Sequence, residues 1–256
     1  DAYLGNDKAF LGAGNYNVDL GVAWGNHLGA LHWEHTSGDY VLNQTMYVSG
    51  YGVDASLYQD GSSLKVPSSI GTAGYKGKIQ WRDFVSGADV ILYKVRPQAP
   101  EKNLNGNMDV DDSELQTAAE FDVYTDYSRT LGERFEMNAG VKASCYLSPE
   151  NKTFWGLSPA LSLSYNAYQM GKVTASSSYQ HQYLFQTGLS NIGLPIDFWF
   201  MAGSHSLPQS ALSGSLIYEV GLQNDMYRLS MEVYGKRLYN QVEYNSDLFD
   251  LLNSEY

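Results

Sequence analysis

The sequence predicts an all-β protein, an antiparallel transmembrane β-barrel, and period-two alternation is the first observation behind this. Apolar and polar residues alternate along most of the chain, whereas the spacing of an amphipathic helix is scarce. Every odd-numbered residue from Phe135 to Leu147 is apolar, and Glu136, Asn138 and Lys142 lie between them. Because successive side chains of a strand point to opposite faces, one face is apolar and the other polar.

Strand length and the kind of polar residue are the second observation. Several predicted strands reach about 10 residues, whereas strands of globular proteins average about 5–6 and strands of membrane barrels need about 9–11. The polar faces are rich in Gly, Ser, Asn and Thr, as is typical of a barrel interior rather than of a water-exposed surface. A water-soluble antiparallel sandwich is the alternative.

The connections are the third observation, because they sort into short and long ones. The alternation predicts about eleven strands, near residues 14–24, 28–36, 39–51, 70–81, 87–95, 117–128, 134–147, 157–165, 172–183, 211–220 and 226–238. Tight turns alternate with longer loops, of which the longest lie near 52–69, 96–116 and 184–210. Antiparallel strands place every second connection at the same rim, so one rim has tight turns and the other long loops, as in outer-membrane barrels.

Aromatic residues near the strand ends fit this interpretation. An interfacial girdle of aromatic side chains is typical of membrane barrels. The candidates for such a girdle are Trp24, Trp33, Tyr51, Trp81, Tyr127, Tyr165 and Tyr183.

The composition excludes several classes of protein. A net charge of −12 with only 16 basic residues among 256 argues against a nucleic-acid partner. One cysteine excludes a disulfide framework within the chain. No stretch reaches the run of about 18 apolar residues that a transmembrane helix needs.

From Asp122 onward, the order of the segments resembles the barrel of a TonB-dependent outer-membrane receptor of the Bacteroidetes type. The residues that carry the resemblance are Ser158-Pro159, Gln182-Tyr183-Leu184, the stretch GLPIDFW at 193–199, Pro208-Gln209, Val220-Gly221-Leu222 and Glu232-Val233-Tyr234. The stretch WGNHLGALHWEH at 24–35 resembles an earlier hairpin of the same barrels. Each motif is loose, and the specificity lies in their order.

The resemblance implies a receptor in the bacterial outer membrane that binds a nutrient with its extracellular loops and imports it through a plugged barrel. Such a barrel closes with about 22 strands. The resemblance further implies outer-membrane lipid around the barrel, a TonB complex acting on a plug, and a surface lipoprotein as a candidate partner. The ligand stays open among small molecules such as siderophores and cobalamin, glycans and peptides.

We therefore expect residues 1–256 to be a central portion of such a barrel, with the plug domain not in this chain. A complete barrel of about ten to twelve strands is the alternative, against which an unpaired edge at each end argues. Alternative functions are an outer-membrane barrel with a scaffolding, assembly or small-channel role, and a soluble β-rich glycan-binding module.

The loop from Leu184 to Pro208 is the predicted ligand-binding segment, because it is long, aromatic and nearly uncharged. Exposed aromatic side chains on such a loop stack on a sugar, a macrocycle or a partner protein. Packing of the same side chains across the barrel mouth is the alternative. The predicted ligand-binding residues are Phe185, Phe198, Trp199, Phe200 and His205.

The acidic stretch near residue 110 is a calcium candidate. Asp109, Asp111, Asp112 and Glu114 offer the hard oxygen ligands that calcium prefers. The stretch lacks the glycine at the sixth position of an EF-hand loop, and a solvated acidic loop is the alternative. No other cofactor is predicted.

Signatures of enzymes are nearly absent from the sequence, with paired carboxylates for glycoside hydrolysis left open, and its histidines do not form a metal site. His32 and His35 are three residues apart in a predicted strand, so they point to opposite faces and do not share an ion. No Gly-x-Ser-x-Gly motif occurs, and Ser62 and Lys65 match Ser-x-x-Lys without its companion motifs. We therefore predict no catalytic activity.

Overall fold

A computed structural model describes residues 3–13, 16–59, 62–97, 101–104, 107–110, 115–188, 197–204, 206–222 and 226–242. The predicted fold class is confirmed, since the chain is all-β and built around one large antiparallel sheet. The strands are β1 Tyr3–Ala13, β2 Tyr16–Ser37, β3 Tyr40–Gln59, β4 Ser62–Trp81, β5 Phe84–Arg96, β6 Glu101–Leu104, β7 Asn107–Val110, β8 Gln116–Leu131, β9 Phe135–Leu147, β10 Thr153–Asn166, β11 Lys172–Gln182, β12 Leu184–Gly188, β13 Asp197–Met201, β14 Gln209–Leu222 and β15 Tyr227–Tyr239. A single 3₁₀ turn at Tyr168–Met170 is the one helical element among these residues, and no helix there is long and apolar enough to cross a membrane.

Neighbouring strands of the main sheet follow one another along the chain. Its order is β1-β2-β3-β4-β5-β8-β9-β10-β11-β14-β15, and each pair is antiparallel. The short strands β6 and β7 form a hairpin beside β4, and β12 and β13 form a separate two-stranded sheet. This meander is what short connections between antiparallel neighbours produce.

The first third of the chain differs from the prediction. Residues 25–27, predicted as a connection, continue β2 because Gly25, Asn26 and His27 pair with residues 50–52 of β3. Within the predicted loop near 52–69, residues 52–59 and 62–69 belong to the paired ends of β3 and β4, and β1 was not predicted. With 20 residues, β3 spans about 65 Å at the usual rise per residue, which is twice what a bilayer requires.

The two ends of the sheet differ in their connections. At one end, which we call the turn end, β2–β3, β4–β5 and β8–β9 are joined by Gly38-Asp39, Arg82-Asp83 and residues 132–134. The opposite end, which we call the loop end, carries the long connections, and two of these contain hairpins: β6–β7 within 96–116 and β12–β13 within 184–210. Gly38 and Gly132 have positive φ angles of 56° and 67°, which tight turns require and glycine supplies.

The two faces of the sheet differ in chemistry. We call the face that carries the β12–β13 hairpin the inner face, and the opposite face the outer face. Large apolar side chains of the outer face are exposed, and Trp155, Val233 and Leu31 are 77%, 74% and 72% accessible. The inner face carries serine, threonine, tyrosine and charged side chains. Many of these form side-chain hydrogen bonds with the neighbouring strand, such as those between the hydroxyls of Ser164 and Thr174 and of Ser176 and Ser215.

A row of aromatic rings, which we call the aromatic belt, crosses the outer face at the turn end. Four ring contacts join strand neighbours, with centroids 5.9 Å apart for Tyr40–Trp81, 6.4 Å for Trp81–Phe84 and 4.8 Å for both Phe84–Tyr127 and Phe135–Tyr165. The predicted girdle residues Trp81, Tyr127 and Tyr165 belong to this belt, and Trp33 lies near the same end on β2. Tyr51 and Tyr183 do not, because both lie on the inner face at the loop end.

Candidate functional site on the inner face

The β12–β13 hairpin packs against the inner face at the loop end. Phe185 and Met201 are 2% and 6% exposed in a cluster with Ile70, Tyr93 and Val95 of β4 and β5. Trp199 meets the ring of Tyr51 edge-on with centroids 6.5 Å apart. Aromatic side chains of the long loop are therefore turned toward the sheet.

Three of the five predicted ligand-binding residues contribute to this packing. Phe185 and Phe200 lie edge-to-face with centroids 6.5 Å apart, and Trp199 is half-buried. The backbone of Phe198 belongs to β13, but its side chain and the whole of His205 lie outside the described residues. Ligand binding by these five residues stays a prediction, and in this conformation Phe185 is covered by protein.

The root of the loop is fixed by hydrogen bonds and a ring stack. The rings of Tyr146 and Tyr183 are stacked, with centroids 4.7 Å apart and planes at 6°. The Ala202 amide donates to the Tyr183 carbonyl at 2.7 Å, and the Tyr146 hydroxyl donates to the Ala202 carbonyl at 3.3 Å. Ser204 donates to the Glu150 carboxylate through its amide, at 2.7 Å, and through its hydroxyl. These contacts attach the chain before β12 and the chain after β13 to β9 and to the β9–β10 connection.

Below the hairpin, the inner face carries a buried charged cluster on β5, β8 and β9. The Tyr93 hydroxyl donates to Glu120 Oε2 at 2.8 Å. Lys142 Nζ lies 3.0 Å from Asp122 Oδ2 and 3.9 Å from Glu120 Oε1. The two carboxylate residues are 8% and 5% exposed, so their charges are compensated mainly by this one lysine rather than by water.

Four buried polar atoms in this region lie close to one row of register partners across the sheet, which we call the rung. The strand register places Asp89, Asp122, Ser144 and Gly156 side by side on β5, β8, β9 and β10. Asp89 Oδ1, Asp122 Oδ1, Ser144 Oγ and the Tyr183 hydroxyl have no hydrogen-bond partner among the described residues. The Tyr183 hydroxyl belongs to this rung because it lies over Gly156, where a Cβ atom would collide with it.

Tyr183 itself lies between β11 and β12, beyond the end of the strand. Burial raises the pKa of Tyr183 to about 12, so its hydroxyl keeps its proton at neutral pH. The rung therefore presents carboxylate acceptors from Asp89 and Asp122 beside the hydroxyls of Ser144 and Tyr183. Such groups bind water or a polar ligand well, because a buried polar atom without a partner is costly.

A cavity of about 400 Å³ adjoins the charged cluster at Lys142. It opens where the alternation of exposed and less exposed residues along β11 shifts by one position. Up to Ser178 the less exposed residues are even-numbered, whereas beyond it they are the odd-numbered Tyr179, His181 and Tyr183. His181 Nδ1 lies 3.2 Å from the Ser158 hydroxyl. The cavity is lined by Lys142, Ser158, Pro159, Ala160, Ser178, Tyr179, Gln180 and His181.

The described residues contain no group of three or more His, Cys, Asp and Glu side chains placed to hold a metal ion. The backbone of Asp109 belongs to β7, whereas its side chain and residues 111, 112 and 114 lie outside the described part of the chain. The calcium prediction therefore stays untested.

Sequence reasoning missed the charged cluster. The alternation does place Glu120, Asp122 and Lys142 on polar faces, but it gives no pairing of residues that are about 20 positions apart in the chain. The sequence nonetheless contains a pattern that indicates the cluster, because charged residues recur on the polar faces of two predicted neighbouring strands.

Comparison with solved structures identifies a receptor with a similar fold. The ferric yersiniabactin uptake receptor FyuA from Yersinia pestis matches with a TM-score of 0.54 and 11% sequence identity, over 93% of this chain and 45% of that chain. This chain thus spans less than half the length of FyuA. No family model matches the sequence, and no curated protein matches it. At this identity the likeness establishes the fold alone, which is that of part of an outer-membrane barrel.

Proposed function

We propose that this chain forms part of the barrel of a TonB-dependent outer-membrane receptor of the Bacteroidetes type, which binds a nutrient with its extracellular loops and imports it. The single observation that carries the proposal is the contrast between the two faces of the main sheet. A soluble protein does not expose an apolar face of this extent to water, whereas a barrel wall exposes it to lipid.

The outer face supports the lipid-facing role in its details. Exposed apolar residues recur on alternate positions of neighbouring strands, such as Leu157, Leu161 and Leu163 of β10 and Leu229, Met231 and Val233 of β15. The aromatic belt lies at the turn end of this band, where an interfacial girdle is expected. By this proposal, the turn end faces the periplasm and the loop end faces outward.

The inner face supports the transport role. Uncharged hydroxyl pairs, the charged cluster and the cavity beside Lys142 give a polar surface along which a hydrated ligand passes. FyuA is an uptake receptor for ferric yersiniabactin. The similarity in fold does not identify the nutrient of this chain, because one fold serves many ligands.

The partners of the proposed receptor follow from its class. The TonB complex supplies energy through a plug, and a surface lipoprotein over the loop end is a further candidate. The β12–β13 hairpin, which packs on the inner face at that end, is the segment through which outer binding and passage are coupled in this proposal.

The experiment uses the complete gene that encodes this chain, expressed in its host with an epitope tag. We expect the protein in the outer-membrane fraction, with a gel band that shifts on boiling. Depletion of nutrients from a defined medium is then compared between the wild type, a strain lacking the gene and a strain lacking TonB. The proposal predicts one nutrient whose uptake both deletions abolish. A protein that is soluble without detergent, or uptake that is unaffected by both deletions, would contradict it.

A further inference from the structure

We propose that Asp89 of β5 and Asp122 of β8 hold one small monovalent cation between them on the inner face. The inference goes beyond the proposed function, because it depends on the strand register and the charges of the sheet rather than on what the barrel carries. It assigns a ligand to the two unpartnered carboxylate oxygens of the rung.

The two carboxylates are close because the register makes Asp89 and Asp122 direct partners on neighbouring strands. Both side chains lie on the inner face, and the Cβ atoms of such partners are about 5 Å apart. Oδ1 of each residue is buried and has no hydrogen-bond partner among the described residues. Two carboxylates at this separation repel each other, and a cation between them removes the repulsion.

The neighbouring lysines leave these two oxygens without a counter-ion. Lys142 Nζ lies 3.0 Å from the other oxygen of Asp122, Oδ2. Lys76 is the register partner of Asp89 on β4, but its Nζ lies over the ring of Tyr47, 5.6 Å from the centre. In the part of the chain that the structure describes, no cationic side chain lies within ion-pair distance, 4.0 Å, of Asp89.

The charges around the rung require one further positive charge. The charged side chains there are three carboxylates and two lysines, namely Asp89, Glu120, Asp122, Lys76 and Lys142. One negative charge is therefore left over, and one monovalent cation balances it. Because only two carboxylates have free oxygens, the site suits such an ion better than calcium, which prefers more oxygen ligands.

Two buried hydroxyls extend the set of free oxygens along the rung. Ser144 is the register partner of Asp122 on β9 and is 1% exposed, and its Oγ has no partner among the described residues. The Tyr183 hydroxyl, also unpartnered there, lies over Gly156 at the next position of the row. Hydroxyl oxygens bind a cation directly or through an ordered water molecule. These groups, which are independent of the acidic pair, indicate a polar occupant of the rung.

Tyrosine side chains border the site and limit the access of water. The Tyr124 hydroxyl lies over Gly87, the inner-face residue that precedes Asp89 on β5, and would be 2.5 Å from a Cβ atom there. Tyr47 covers Gly74 of β4 in the same way. Where water has little access, the attraction between carboxylates and a cation is stronger than at an open surface.

The test is binding of radioactive sodium, ²²Na⁺, to the complete protein, purified in detergent in a sodium-free choline buffer and measured by scintillation proximity. We expect one bound ion per wild-type chain, and an affinity lower by about ten-fold or more in Asp89→Asn and in Asp122→Asn. Glu136→Gln is the matched control, because this carboxylate already has a cation, Lys172, at 2.6 Å. It should keep the wild-type affinity.

Competition identifies the source of the cation. Displacement of ²²Na⁺ by unlabelled sodium but not by methylammonium would assign an inorganic ion to the site. Displacement by methylammonium would assign the ammonium group of a ligand. Displacement by calcium at the same concentration as unlabelled sodium would contradict a monovalent site.

Absence of saturable ²²Na⁺ binding in the wild type, or equal affinities of wild type and Asp89→Asn, would overturn the site in favour of a proton shared by the two carboxylates. The boiling-dependent gel shift is measured on every variant. If Asp122→Asn loses this shift, Asp89→Asn decides, because it breaks no ion pair of the described residues. A wild-type protein without the shift would contradict the proposed barrel itself, whereas a shifted barrel without bound sodium contradicts only the cation site.

Discussion

The two ends of the main sheet use the same aromatic residue types in opposite ways. At the turn end, Trp81, Tyr127 and Tyr165 lie on the outer face, where their rings join those of neighbouring strands. At the loop end, Tyr51 and Tyr183 lie on the inner face and hold the β12–β13 hairpin. Proximity to a strand end therefore does not determine the role of an aromatic residue. Its face does, because an outer-face ring is exposed beside the rings of neighbouring strands, whereas an inner-face ring packs against the β12–β13 hairpin or its ends.

The largest effect is expected where an inner-face aromatic is removed. Tyr146→Ala deletes the stack on Tyr183 and the hydrogen bond to Ala202, and loss of a buried aromatic ring costs about 3–5 kcal/mol. We expect the β12–β13 hairpin to detach, so that limited proteolysis cleaves it while the main sheet survives. Tyr146→Phe keeps the stack and should cost only about 1 kcal/mol. Equal cleavage of Tyr146→Ala and wild type would contradict the packing.

A charge on the outer face should come next. Leu161→Arg places a cation in the middle of the proposed lipid-facing band of β10, where it costs about 2–4 kcal/mol. Its neighbour Ser162 lies on the inner face, so Ser162→Arg is the matched control and should be tolerated better. The measurement is urea unfolding of protein reconstituted in vesicles. If Ser162→Arg proved the more destabilising, the assignment of the two faces would be wrong.

The charged cluster gives a smaller effect. Lys142→Met leaves Asp122 buried without its cation. Because water reaches the lysine end of the pair, whose side chain is 35% exposed, we expect a cost of about 1–3 kcal/mol rather than the larger cost of breaking a fully buried pair. Lys172→Met is the control, because its ion pair with Glu136 at 2.6 Å joins two side chains that water reaches, and such pairs contribute at most about 1 kcal/mol. Both are compared by the same unfolding experiment. The cluster would lose its assigned importance if the Lys172 variant were the less stable of the two.

The smallest effect concerns the contact between Gly156 and Tyr183. In Gly156→Ala the added methyl group collides with the Tyr183 hydroxyl, and overpacking of this kind costs about 1 kcal/mol or somewhat more. Tyr183→Phe in the same background should recover part of the loss. Gly235→Ala is the control, since no atom lies within 4 Å of a Cβ there. Indistinguishable midpoints of the two glycine variants would refute the close approach.

The sequence was most informative where strands are regular. The alternation predicts a strand over 134–147, and β9 runs from Phe135 to Leu147 with its odd-numbered residues on the outer face. It fails at Gly25-Asn26-His27, which has the composition of a turn but pairs with residues 50–52 of β3. Pairing with a distant strand outweighs local preference there, and a single sequence does not reveal the partner.

The candidate site was harder to predict than the fold for a related reason. The partners Asp122 and Lys142 lie on adjacent strands, so their contact depends on the strand register. Along β11 the less exposed residues are even-numbered up to Ser178 and odd-numbered from Tyr179, which places the odd-numbered Tyr183 on the inner face. Uninterrupted alternation of the sequence does not predict this shift by one position. The aromatic loop was recognised as distinctive, but its packing against Tyr51 and Tyr146 depends on tertiary structure.

The most direct test of the central claim compares two adjacent residues of β10. In a background with Cys145 replaced by serine, Leu161→Cys and Ser162→Cys are labelled with a fluorophore in the complete protein, reconstituted into vesicles that contain nitroxide-labelled phospholipid. We predict strong quenching of the label at 161 by the lipid nitroxide, and quenching of the label at 162 by a water-soluble quencher instead. Equal quenching at both positions, or the reverse pattern, would contradict a sheet whose outer face lies in lipid and whose inner face lies in water.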